Sequence, residues 1–267
     1  VIVCRSAAEI ERLRRANQFV AQVLAALEAM VAPGVSTADL DKVAERLTRE
    51  GGAEPAFKGY RGYPATLCAS INEEVVHGIP SAARVLKVGD IVSLDMGVKL
   101  GGFYGDSAVT VAVGAVPERT QELLRVTRAA LDCGIARAQV GGRLSDIGHA
   151  VQECVEAHGF SVVREFVGHG IGEHLHEEPQ IPNYGQPGRG PKLAEGMVLA
   201  IEPMVAMGRP ETQVLGDGWT AVTKDKSLAA HFEHTIAIAA DGPLVLTARP
   251  GGTEGREPKR LGVEARP

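Results

Sequence analysis

The chain has 267 residues, with 28 Lys and Arg against 33 Asp and Glu, a net charge of −5, and four cysteines. That balance excludes the basic footprint of a nucleic-acid binder, and no apolar run approaches the ~20 residues of a membrane span. The cysteines form no C-x-x-C pair, which sets aside a disulfide framework or zinc knuckle and leaves a reducing compartment as the default.

A chain this long buries roughly 70–75% of the surface its unfolded form exposes. The opening Val1-Ile2-Val3-Cys4-Arg5 is too short for a secretion signal, so a cytoplasmic globular protein is expected. Ser6-Ala7-Ala8-Glu9 reads as a capping box, followed by Ile10, Leu13, Phe19, Val20, Val23, Leu24 and Leu27 at helical spacing until Pro33-Gly34. Ser36-Thr37-Ala38-Asp39 opens a second helix that Gly51-Gly52 stops. Residues 53–82 are mixed, with a His-Gly-Ile-Pro turn at 77–80. Ile91 to Val98 and Phe103 to Val113 read as strands around a four-residue turn at 99–102. Helices are predicted over 118–140 and 144–158, and irregular chain over 160–192. Val198 to Val205 and His231 to Ala239 read as strands, with Asp217-Gly218 a hairpin-type turn between them. Residues 1–248 are expected to form a single catalytic domain and 249–267 a flexible tail.

One half echoes the other. Leu86, Gly89, Asp95 and Val98 recur as Leu193, Gly196, Glu202 and Val205 at an offset of 107, which also carries Gly34, Asp39, Leu40 and Gly52 onto Gly141, Asp146, Ile147 and Gly159. Asp106-Ser-Ala-Val-Thr-Val resembles Glu233-His-Thr-Ile-Ala-Ile after a longer hairpin. The period is too long for a solenoid. It implies an internally duplicated α+β domain, helix-helix-strand-strand in each half, with an acid on each strand and a pseudo-twofold axis.

Those acids point to a metal. With a four-residue turn, Asp95 faces Asp106 across the first hairpin, where like charges destabilise and burial of an unpaired carboxylate is expensive. Glu202 and Glu233 stand equidistant from Asp217-Gly218. His169 lies in a glycine-flanked loop, where backbone can approach a ligand. Oxygen-rich coordination with one imidazole suits Mn, Fe(II), Co or Zn. His176-Glu177-Glu178 lacks the second histidine of H-E-x-x-H, no G-x-S-x-G elbow is present, and Arg12, Arg14 and Arg15 read as a solvated helix face.

Gly59-Tyr-Arg-Gly-Tyr-Pro-Ala-Thr-Leu-Cys68-Ala-Ser-Ile-Asn-Glu-Glu-Val-Val-His77-Gly-Ile-Pro, Asp90-Ile-Val-Ser-Leu-Asp95, Gly105-Asp106-Ser, Gly168-His169-Gly-Ile-Gly and Phe232-Glu233-His-Thr resemble type I methionine aminopeptidases, from about residue 6 to 245. The resemblance implies the pita-bread fold and two divalent ions. Asp95 would chelate one; Asp106 and Glu233 would bridge both; His169 and Glu202 would complete the other. It implies Glu202 as general base, His77 and His176 contacting the substrate amide and oxyanion, and a methionine pocket of Phe57, Tyr60, Tyr63, Cys68, Leu175 and Trp219. Phe57 and Leu175 depart from the cysteine and phenylalanine of the best-known bacterial members. The expected partners are peptides and nascent chains with N-terminal methionine and a small second residue. Transient ribosome association is implied, with a monomeric enzyme and no nucleic-acid or membrane partner. Only 31 residues separate Glu202 from Glu233, which leaves no room for the type II insertion. An Xaa-Pro aminopeptidase or prolidase shares this fold and ligand set, and a catalytically dead relative serving as a binding module is a further reading.

Overall fold

Local signals start the helices where the sequence places them. In this computed structural model, which describes residues 1–249, α1 spans Ala7–Met30. The Ser6 backbone N–H donates to Glu9 Oε2 at 2.8 Å and the Glu9 N–H donates back to Ser6 Oγ at 3.4 Å. Ser36 caps α2 (Thr37–Glu50), accepting from the Asp39 N–H at 3.2 Å. Then come β1 (Glu54–Pro55), a 3-10 turn at Tyr60–Gly62, β2 (Leu67–Ile71), β3 (Glu74–Val76), β4 (Ile91–Leu100) and β5 (Phe103–Ala112). The second half has α3 (Glu118–Arg137) and α4 (Leu144–Glu156), then β6 (Ser161–Val162), β7 (Gly168–Gly170), β8 (Glu177–Ile181) and β9 (Val198–Ile201). It ends with β10 (Met204–Ala206), β11 (Thr212–Val214), β12 (Ala221–Thr223), β13 (Ala229–His231), β14 (His234–Ala239) and β15 (Gly242–Val245). The predicted helices α3 and α4 therefore stop a little early, and the stretch 160–192 holds three short strands. The tail expected from 249 lies, from residue 250 onward, outside the described residues.

The duplication is visible in the backbone. Left-handed glycines recur at the same offset: Gly34 and Gly141 at φ 92° and 86°, Gly52 and Gly159 at 71° and 69°, Gly89 and Gly196 at 95° and 87°. Hydrogen bonds recur too. The Gly34 N–H donates to Leu86 O and the Gly141 N–H to Leu193 O, both near 2.9 and 2.8 Å, and the bridges Ser36–Val85 and Arg143–Lys192 match.

Two expectations about the strands are corrected. The first hairpin turns on Gly101-Gly102 alone, with Leu100 opposite Phe103, so Asp95 faces Ala108 and Asp106 faces Gly97. Both glycines have positive φ, 58° and 89°, the geometry of the two-residue turn that matches strand twist. The register differs from the four-residue reading by an even step, so both aspartates still share one face. In the second half, each long strand is broken at its acid. Glu202-Pro203 separates β9 from β10 and Phe232-Glu233 separates β13 from β14, while Asp217-Gly218 turns β11 into β12. Pro203 has no N–H to donate to a ladder, and the chain passes at the first break from the five-stranded sheet (β15-β14-β9-β7-β8) to the three-stranded one (β13-β10-β6) and at the second break back again.

β4 carries β5 along one edge and β2 then β1 along the other. Leu94, Met96 and Val98 pack into a core with Val20, Leu24 and Leu27 of α1, which leaves Asp95 on the opposite face. The two halves meet where β5 touches the start of β14. The Glu233 N–H donates to Ala108 O at 2.9 Å, Ser107 Oγ to Glu233 O at 2.7 Å, and Thr235 Oγ1 to Asp106 O at 2.8 Å. Arg12 is exposed, as expected of a solvated face, and its guanidinium also lies over the Phe103 ring at 4.6 Å and donates to Gly101 O.

Gly105 lets α1 settle on β5: a Cβ there would stand 2.7 Å from Ala16 C and 2.8 Å from Ala16 O. Gly105→Ala is expected to cost about 1–3 kcal/mol of stability by overpacking, read as a lowered denaturation midpoint. An unchanged midpoint would show that the contact is slack.

Candidate metal centre

Alternation along β4 and β5 puts Asp95 and Asp106 on the face away from α1, and the sheet-to-sheet crossings put Glu202 and Glu233 beside them. Asp106, His169 and Glu233 are all buried, and each offers a ligand atom within 4.8 Å of the others'. Glu202 joins from its crossing, with Oε1 at 3.6 Å from His169 Nε2; Asp106 Oδ2 lies 3.8 Å from the same nitrogen. Asp95 sits opposite Cys68 of β2, and Asp106 repels its charged form. Of the five ligands expected from the sequence, Asp106, His169 and Glu233 form one group, Glu202 lies beside His169, and Asp95 is linked to Asp106 by repulsion.

The donors are prepared for a cation. Asp95 Oδ1, Asp106 Oδ1 and Glu233 Oε1 are shut off from solvent with no hydrogen-bond partner among the described residues. Leaving such a group unmatched costs about 1–3 kcal/mol, more if charged. His169 Nδ1 lies 2.9 Å from Gly170 O, so that nitrogen carries the proton and donates, leaving Nε2 as a bare lone pair. Burial, with His176 adding to it, lowers the His169 pKa to about 3 and keeps the ring neutral. Burial raises the Asp106 pKa to about 7. Burial and mutual repulsion push Asp95, Glu202 and Glu233 well above the usual carboxylate range. Neutral imidazole and partnerless carboxylate oxygens fit a divalent ion.

The expected substrate residues surround this centre as two aromatic chains. Tyr63 meets Trp219 edge-on at 5.2 Å, Trp219 lies 6.2 Å from His77, and His77 lies 5.5 Å from Phe166. On the other side Tyr60 lies 5.3 Å from His176, whose ring is 4.3 Å from His169. The Tyr60 hydroxyl lies 2.9 Å from His176 Nδ1; donating there, it leaves the His176 proton on Nε2. Phe57 bridges the cluster of Tyr63 and Cys68 to that of Leu175. His77 takes a left-handed backbone, φ 61°, and burial lowers its pKa to about 4. An uncommon φ on a half-buried non-glycine residue is the kind of strain found at working sites.

Four supporting residues lie outside the sequence-based list. Phe166 packs on His77. Asn17 Oδ1 accepts from the Asp106 N–H at 3.2 Å. Arg5 grips both Glu177 oxygens at 2.7 and 2.8 Å and so holds the loop carrying Leu175 and His176. His231 lies buried beside Glu202. Only His231 had a signal available, a histidine two residues before an acid in an apolar strand; the others act through long-range contacts.

The profile of metallopeptidase family M24 matches residues 11–240. A methionine aminopeptidase of Clostridium acetobutylicum is 51% identical over 247 residues, covering 92% of this chain and 99% of the relative. The crystal structure of a methionine aminopeptidase from Thermotoga maritima matches at a TM-score of 0.92 and 48% identity, covering 93% of this chain and 100% of that one. A prolidase from Pyrococcus horikoshii matches in fold alone, at 0.74 and 23% identity, covering 93% of this chain and 64% of its own. The fold is the pita-bread fold expected from the sequence.

The folded Asp106 carboxyl keeps its proton up to about 7, whereas its ordinary value is 3.8, so the metal-free fold loses stability as pH rises through that window. At pH 8 without metal, Asp106→Asn is expected to melt higher than the wild type by at least roughly 2–4 °C, about one kcal/mol. At pH 5 the gap narrows. A variant that melts lower at pH 8 would show that the carboxylate is not the burden described.

Proposed function

The chain belongs to metallopeptidase family M24, and we propose that it removes the N-terminal methionine from peptides and nascent proteins whose second residue is small. The observation that carries this reading is the grouping of Asp106, His169 and Glu233, with Glu202 beside His169 and the His176 ring packed next to it. In the proposal Asp95, Asp106, His169, Glu202 and Glu233 hold two divalent ions from among Co, Mn, Fe(II) and Zn. When bound, the ions supply Lewis acidity at the scissile carbonyl and a water that ionises near neutral pH.

The chain's own groups do the rest. Glu202, whose burial strengthens its hold on a proton, would in its ionised form take the attacking water's proton and pass it to the leaving amine. His176, oriented by Tyr60, points Nε2–H at the oxygen on which charge develops. His77, neutral at pH 7 because burial lowers its pKa to about 4, hydrogen-bonds the substrate amide. Phe57, Tyr60, Tyr63, Cys68, Leu175 and Trp219 form the wall for the methionine side chain, whose flexible thioether suits an aromatic and sulfur-lined slot. Burial pushes the Cys68 thiol up, so it lines the slot as a neutral group. In this reading the enzyme acts in the cytoplasm, on nascent chains, with brief visits to the ribosome.

A metal-stripped preparation is expected not to cleave Met-Ala-Ser; added Mn or Co restores cleavage, and an Xaa-Pro peptide stays intact. Cleavage that survives exhaustive chelation would overturn the metal reading. Preference for the Xaa-Pro peptide would replace the substrate assignment with a prolidase-like one.

A further inference from the structure

His231 is 1% exposed, and among the described residues neither of its ring nitrogens has a hydrogen-bond partner. Its backbone, by contrast, is pinned at both ends by one side chain. The His231 N–H donates to Thr110 Oγ1 at 2.8 Å, and that hydroxyl donates to His231 O at 2.8 Å. Thr110 is itself held by Ser93 Oγ at 2.8 Å, directly across the β4–β5 ladder. A backbone fixed this firmly aims the ring, and the nearest carboxylate oxygen on that course is Glu202 Oε2, 3.7 Å from Nε2. Glu202 is therefore flanked by two imidazoles, with His169 at 3.6 Å from Oε1 and His231 at 3.7 Å from Oε2.

A buried N–H without an acceptor is a rare and costly omission. The proton of a neutral His231 ring therefore belongs on the nitrogen that has an acceptor in front of it. At 3.7 Å the pair is longer than a hydrogen bond, and a small rotation of Glu202 closes the gap. We propose that His231 is a positioning residue that donates Nε2–H to Glu202 Oε2 and so holds the other oxygen, Oε1, toward His169 and the metal centre. This rests on the reading of Glu202 as ligand and base given above. Burial makes such a contact matter: one hydrogen bond to Oε2 fixes the orientation of the Glu202 carboxylate.

The test has two arms. In zinc-loaded protein with nitrogen-15-labelled histidines, the His231 ring, assigned by its loss in His231→Gln, is expected to show a proton on Nε2 that exchanges slowly with solvent. An unprotonated Nε2 bonded to zinc would make His231 a ligand and overturn the proposal, as would a proton found only on Nδ1. In kinetics, His231→Leu is expected to lower kcat by about 10–100-fold and to weaken divalent-ion binding by a similar factor, with KM for Met-Ala-Ser little changed. His231→Gln, whose amide can donate to the same oxygen but cannot titrate, should recover most of both losses. Wild-type kcat and ion affinity in His231→Leu would overturn the proposal, as would equal losses in the two variants. If His231→Leu does not fold, the nitrogen-15 spectrum of the wild type and the His231→Gln variant still decide. If the wild type fails to cleave Met-Ala-Ser, the peptidase reading falls, while the spectrum still reports separately whether His231 donates to Glu202.

Discussion

The structure is organised around carboxylates forced together out of water. Asp106 and Glu233 lie on either side of the contact between β5 and β14, and the backbone bonds that join the halves run through these same residues. The seam cannot form without burying the acids. Their burial raises the cost of ionisation, and Asp95 and Glu202 add repulsion. A fold whose central joint is electrostatically unfavourable gains the most when a cation occupies it, so the physics of the joint and the chemistry of the peptidase are one constraint.

Duplication explains where the acids sit but not why the centre is asymmetric. The repeated glycines and hydrogen bonds show two halves built alike. Yet the residue 107 positions before His169 is Gly62, so the imidazole belongs to one half only. That half also supplies His176, His231 and the crossings at Glu202 and Glu233. The first half supplies the aspartate hairpin and most of the aromatic wall, including Tyr60 and Tyr63. One side is thus suited to holding a ligand-rich ion and moving a proton, the other to gripping a side chain.

Helix starts, the repeat and the buried acids were legible because each rests on local chemistry: a capping serine, a glycine forced to positive φ, an acid where alternation predicts an apolar residue. Hairpin registers were less so. Gly101-Gly102 favours a two-residue turn, and reading four residues there shifted Asp95 from Ala108 to Asp106 while leaving its face intact. The breaks at Glu202-Pro203 and Phe232-Glu233 were hidden because apolar alternation runs through them; only packing of two sheets decides where a strand crosses over. Contacts such as Arg5 with Glu177, separated by 172 residues, leave no periodic trace at all.

The central claim is that the buried acids hold protons until a cation replaces them. Calorimetric titration of the metal-free protein with Mn at pH 6, repeated in buffers of different ionisation heat, measures that exchange directly. Release of protons on binding is the predicted result, because Asp106 with a pKa of about 7 is still protonated there. Binding with no proton release would mean that the carboxylates are already ionised in the metal-free fold, and would contradict the account.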